Sequence, residues 1–158
     1  MPVIVLTTTI QAPIEVCFDL SRSIDLHSQS VSNTKEKAIG GRTSGLIECG
    51  EYVTWEAVHF GFKHRLSSKI IELSYPNSFC DTQIKGIFHH FVHHHTFSFQ
   101  NGTTTMTDTF EFASPFGIIG ELFDYFILKN YMTKFLVGRN EFIKKTAESE
   151  DWKKYLPQ

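Results

Sequence analysis

Hydrophobic and polar positions alternate with period two along most of the chain up to Phe112, and recur at three- and four-residue steps after Pro115. A strand-rich body followed by a helical end is therefore expected. Val3–Ile10 is rich in β-branched residues and free of Gly and Pro, which predicts a first strand. Pro13 followed by Ile14-Glu15 suits a first helical turn and predicts a helix over Pro13–Ser21, with Ile14, Cys17 and Phe18 on one side. A second short helix is expected over Ile24–Gln29, capped by Ser23. The turn formers of Ala38–Gly45 predict a hairpin between a strand before them and Leu46–Cys49 after them. Their three glycines do not form a phosphate loop, since no GxxxxGK[ST] follows.

Four further strands are predicted over Glu51–Phe62, Arg65–Ser74, Cys80–Phe99 and Thr103–Phe112. Pro76-Asn77 and the two-residue hairpin signal Asn101-Gly102 separate them. Gly86 is expected to mark a bulge within the third. From Ile119 through Leu122, Phe123, Phe126, Met132, Phe135, Leu136, Phe142 and Ile143 the apolar steps predict one long amphipathic helix to about Ala147. Its wide aromatic stripe is expected to lie across the concave face of an antiparallel sheet. The fold class that follows is α+β: a curved sheet, two short N-terminal helices and a long C-terminal helix, in one domain over 1–158.

Alternation assigns faces as well as elements. In the run from His89 to Phe99, residues Phe91, His93, His95, Phe97 and Phe99 share one face, and Val92, His94, Thr96 and Ser98 the other. The phenylalanines mark the first as the buried face, so two histidines enter an apolar interior, where each needs a partner. His89, His90 and His94 are expected at the edge or in solvent. On the next strand Met106, Asp108, Phe110 and Phe112 share a face. Counting outward from Asn101-Gly102 places Asp108 near His93 or His95, as its buried charge requires. Val53, Trp55, Ala57, His59 and Gly61 are read as an inward face, with Glu56 pairing outward to a basic residue.

Composition narrows the possibilities. Fifteen phenylalanines in 158 residues supply aromatic surface for a core or for an apolar pocket. A net charge of −2 with scattered Lys and Arg gives no basic footprint, so nucleic acid is not an expected partner. Cys17, Cys49 and Cys80 are odd in number and widely spaced, which predicts free thiols and a cytoplasmic setting. The start of the chain lacks the pattern of a signal peptide. The apolar stretch around Ile118–Leu128 is broken by Gly120, Glu121 and Asp124 and falls short of the roughly 20 residues of a membrane span, so stable insertion is not expected.

Two constellations could carry chemistry. His93 and His95, two apart on a strand, lie about 6 to 7 Å from each other along the backbone, a spacing that a two-histidine metal site can use. Asp108, His59 or Glu56 would be the third ligand, with zinc the fitting ion. Without HExxH, CxxC or a reinforcing pattern, the expectation is neutral, hydrogen-bonded histidines, no metal and no cofactor. An Asp108–histidine pair would fix the imidazole tautomer and raise its basicity, as a general base needs. Nucleophilic catalysis has no support, for there is no GxSxG and no histidine signature near a cysteine.

A set of residues together carries a family resemblance from about Ile10 to Phe142. It comprises Ile10-Gln11-Ala12-Pro13-Ile14-Glu15-Val16-Cys17-Phe18, Gly50-Glu51-Tyr52-Val53-Thr54-Trp55-Glu56-Ala57 and His59-Phe60-Gly61. Pro76, Phe79, Asp81, Gln83, Gly86 and Phe88 continue it, followed by His93-x-His95-x-Phe97, Gly102-Thr103, Thr107-Asp108 and Pro115-x-Gly117. The chain resembles the SRPBCC superfamily, the START-like or helix-grip fold shared with polyketide cyclases and the major birch pollen allergen. Within it, the chain looks most like the small bacterial ligand-binding or "cell division inhibitor"-like branch. That family often has Trp two residues before the first histidine, where this chain has Phe91. The resemblance implies a sheet curled around the C-terminal helix and a cavity for lipids, polyketides or other hydrophobic small molecules.

Two functions follow as expectations. In the first, a non-enzymatic binder, Trp55, Phe91, Phe97, Phe110, Phe123 and Phe126 line the cavity, and His59, His93, His95 and Asp108 orient the polar end of a hydrophobic ligand. In the second, a cyclase or hydratase uses the His95–Asp108 pair as general acid and base. A role as a regulatory interaction module has no residue-specific support.

Overall fold

The computed structural model describes residues 1–157. Seven antiparallel strands form one sheet in the order β1-β7-β6-β5-β4-β3-β2. They are β1 (Val3–Ile10), β2 (Lys37–Gly41), β3 (Tyr52–His59), β4 (Phe62–Ser74), β5 (Ser78–Lys85), β6 (His90–Gln100) and β7 (Thr103–Ala113). Helices α1 (Ile14–Ser21) and α2 (Ile24–Ser30) follow β1, and the Ser23 side chain accepts from the Leu26 N–H, satisfying one of the free donors at the start of α2. After β7 come α3 (Gly117–Phe123), a π-helical turn (Asp124–Leu128) and α4 (Lys129–Ala147).

Three expectations are corrected. The run Cys80–Phe99 is not one strand with a bulge at Gly86 but two antiparallel strands joined by a turn, with Asp81 opposite His93 and Phe79 opposite His95. A Cβ on Gly86 would stand 2.4 Å from Leu66 Cδ1 and 2.6 Å from Gln83 Oε1, so the glycine admits a close approach at that turn. Second, Leu46–Cys49 does not form a hairpin strand. β2 pairs instead with β3, and Leu46 makes only an isolated bridge to Ser23. Third, the long closing helix forms as expected but carries a π turn, and its stripe divides there. In α4, Leu136, Arg139, Asn140 and Ile143 are buried, whereas Ile118, Ile119, Leu122, Tyr125 and Phe126 of the leg before it are exposed.

The core has two clusters. One gathers Phe18, Leu20, Phe79, Phe97, Met106 and Ile143 where α1 and the C-terminal part of α4 meet the sheet. The other packs Phe88, Phe91, Phe110 and Phe112 against Leu128 and Leu136. Asn101-Gly102 forms the expected tight hairpin, both residues at positive φ (52° and 77°), and it sets His95 opposite Asp108 and His93 opposite Phe110. Among the described residues no helix is long and apolar enough to cross a membrane.

Candidate functional site

Between the concave face of the sheet and α4 lies a cavity of about 530 Å³. Strand pleating points Trp55 and Ala57 of β3, Ile70 of β4, Phe79 of β5 and Phe91 and Phe110 of β6 and β7 into it, and all six are buried. Half-exposed or exposed residues, among them Phe60, Ile87, Phe116 and Phe123, line its rim. Across that rim the Phe60 ring stands 6.2 Å from Phe123, edge to face, and 4.6 Å from Tyr131.

Of the residues singled out by sequence, Trp55, His59, Phe91, His93, His95, Phe110 and Phe123 line the cavity. Three do not. Phe97 belongs to the solid core, 5.3 Å from Phe18 by ring centroid, because β6 has there passed beyond the cavity to the end covered by α1. Phe126 is 66% exposed, turned to solvent with the outer face of the π turn. Asp108 is fully buried behind the histidines, in contact with both. His59 shares a hydrogen bond with the Tyr131 hydroxyl through Nδ1 at 2.7 Å, and burial lowers its pKa. Glu56 points outward to Arg65 (3.0 Å) and Lys63 (3.4 Å), so neither His59 nor Glu56 joins the paired histidines.

One wall of the cavity is polar. Asp108 Oδ1 lies 3.0 Å from His93 Nε2 and 2.8 Å from His95 Nδ1, the second contact close but poorly aligned for a hydrogen bond. Asn140 Nδ2 donates to Asp108 Oδ2 at 2.7 Å, and Arg139 Nη1 reaches Oδ1 at 3.4 Å. His95 Nε2 faces Asp81 Oδ1 at 3.2 Å, and its ring stacks on Phe79 at 4.1 Å. Ligand atoms of Asp81, His93 and His95 all lie within 4.8 Å of one another, and all three residues line the cavity.

The charges follow from this packing. Burial, with the neighbouring His95 charge, pushes His93 down to about 4, so near neutral pH it is an uncharged imidazole that donates Nε2–H to Asp108. Burial acts the same way on His95, but Asp108 and Asp81 outweigh it and raise the pKa. Burial would raise both carboxyls, yet the imidazoles hold Asp108 well below the usual range and lower Asp81 as well.

Asp81, Arg139 and Asn140 are the members of this cluster that sequence reasoning does not assign. Arg139 and Asn140 have a visible signal: they fall three and four residues after Leu136, inside the buried stripe of α4. Asp81 has none as long as Cys80–Phe99 reads as one strand, because its neighbour across β5 and β6 exists only once the turn is known.

A curved antiparallel sheet closed by a C-terminal helix over an internal cavity defines the helix-grip, START-like fold, and the resemblance to SRPBCC proteins holds at that level. No family model and no curated protein matches the sequence. Among solved structures, the chain is similar to TTHA0849 from Thermus thermophilus, at 17% identity and TM-score 0.71 over 92% of this chain and 99% of that one. The Zhui aromatase/cyclase from a Streptomyces species aligns at 13% identity and TM-score 0.72, covering 93% of each chain. Ginseng major latex-like protein 151 from Panax ginseng aligns at 12% identity and TM-score 0.69, over 94% of this chain and 98% of that one. At such identities the likeness concerns the fold.

Proposed function

We propose that this protein binds a hydrophobic small molecule, with a limited polar end, inside the cavity between sheet and α4. The observation that carries this reading is a volume of about 530 Å³, within the range of ligand sites, enclosed by aromatic and aliphatic walls with convergent polar groups on one side. Empty apolar space costs packing energy, so a hollow of this size is better explained by an occupant than by the needs of the fold. The likeness in fold to a protein described as an aromatase/cyclase supports a small-molecule ligand. Trp55, Phe91 and Phe110 would contact the apolar body, and the neutral His93 would accept a hydrogen bond from a hydroxyl or amide at the polar end.

One observation favours a second reading. His95 lines the cavity with a carboxylate on each side that raises its pKa, the setting in which an imidazole would exchange a proton with a bound carbonyl compound, as in a cyclase or hydratase. His93, at about 4, is too weak a base to share that work near neutral pH.

A single experiment addresses both. Delipidated protein titrated with fatty acids, sterols and polyaromatic compounds is expected to show saturable one-to-one uptake. The variant Ala57→Phe, which places a ring into the cavity, should abolish it. Ligand recovered unchanged supports the binder, and recovered product supports the acid–base reading. Absence of saturable uptake, or uptake indifferent to Ala57→Phe, overturns the cavity as the site.

A further inference from the structure

We propose that Asp81, His93 and His95 form a binding site for one divalent transition-metal cation of the zinc type, open toward the cavity. The site belongs to the same cavity as the proposed apolar ligand, but it does not rest on that reading and follows from the geometry of the polar wall. Two imidazoles and a carboxylate are a donor set that borderline cations take, in three-ligand sites that leave a position for water or substrate. Here the three ligand atoms already converge within 4.8 Å of one another. Atoms bound about 2.1 Å from a common ion stand roughly 3.0 to 3.4 Å apart at octahedral to tetrahedral angles. Asp81 Oδ1 and His95 Nε2, at 3.2 Å, have that separation before any ion enters.

The orientation of the imidazoles points the same way. Metal-binding histidines commonly turn their other nitrogen onto a carboxylate, which fixes the ring and raises its basicity as a ligand. His93 does so through Nε2, 3.0 Å from Asp108 Oδ1, and His95 Nδ1 lies 2.8 Å from the same oxygen without the alignment of a hydrogen bond. That leaves Nε2 of His95, which already faces Asp81, for a cation, and Nδ1 as the nitrogen of His93 not engaged with Asp108. Asp108 is itself held by Asn140 and Arg139, so the support extends one shell further. The surrounding charge agrees. Two buried or nearly buried carboxylates, Asp81 and Asp108, lie on either side of the His95 ring, and a cation bound there would take the place of a proton on that ring. Since all three ligands line the cavity, the remaining coordination positions face the space where a ligand would sit.

The sequence offers Asp108, His59 or Glu56 as a third ligand and, without HExxH, CxxC or a reinforcing pattern, gives the expectation of no metal. The turn between β5 and β6 supplies Asp81 instead.

Chelator-stripped protein titrated with Zn²⁺ by calorimetry, and with Co²⁺ by visible absorption, is expected to take up one equivalent with the intense spectrum of a low-coordinate Co²⁺ site. Asp81→Asn and His95→Gln should each lose that equivalent, while the surface variant His89→Ala/His90→Ala keeps it. Circular dichroism establishes that the variants are folded. Should neither buried variant fold, NMR of the wild type decides: Zn²⁺ must shift the imidazole signals of His93 and His95 at one equivalent. Stoichiometric uptake that survives Asp81→Asn, uptake lost only with His89 and His90, or no uptake at all overturns the proposal.

Discussion

Asp108 is the residue on which the polar wall turns, since one fully buried carboxylate holds two imidazoles, a guanidinium and an amide in place. Asp108→Ala would leave Arg139 as a buried cation whose remaining contacts are the Ser21 carbonyl and Asn140, and would free both rings. Breaking such a buried pair costs about 3 to 5 kcal/mol, against roughly 0.5 kcal/mol or less for truncation of an exposed side chain such as Glu121. Urea unfolding of the two variants is expected to show that difference. Equal stabilities would mean the network is not a structural unit. The pairing of Asp108 with the histidines is legible in the sequence because a two-residue turn fixes register and alternation fixes the face. The same counting cannot reach Asp81, whose strand boundary depends on Gly86 and on packing against Leu66 rather than on any turn dipeptide.

At the level of elements, the closing helix shows where pattern and packing part. Its apolar steps run unbroken from Ile119 to Ile143, and periodicity alone makes them one buried stripe. The π turn at Asp124–Leu128 inserts an extra residue into the winding and rotates the preceding leg, leaving Ile118, Ile119, Leu122 and Phe126 exposed. Asp124 fixes the junction: its buried carboxylate accepts from the Ser114 N–H at 2.8 Å and from the Ser114 hydroxyl, tying the turn to the end of β7. Gly120 completes the fit, for a Cβ there would stand 2.2 Å from the Pro115 carbonyl oxygen. Gly120→Ala must therefore displace backbone, with an expected loss of about 1 to 3 kcal/mol in urea unfolding. A neutral effect would show that α3 is free to shift at no cost. Strands are legible where hairpin turns and alternation agree, as across β6 and β7. They are not where a glycine-rich segment, Ala38–Gly45, has the composition of a hairpin but leads into an irregular stretch.

Across the whole molecule, the sheet and α4 divide the interior into two packed clusters with a hollow between them, walled by aromatics and bearing one buried charged group of residues. That a curved sheet would grip the last helix can be read from the order of periodicities. The hollow cannot, because fifteen phenylalanines are as compatible with a filled core as with a lined cavity. Phe97 and Phe110 illustrate the point: they lie on the same face of neighbouring strands, yet one is core and the other cavity wall. The proposed binding requires occupancy of that space. Native mass spectrometry of protein purified without delipidation tests it most directly. The expected spectrum contains a one-to-one complex with a small apolar molecule, released on denaturation and absent from Ala57→Phe. A spectrum of bare chain alone, identical for the wild type and the filled variant, would contradict it.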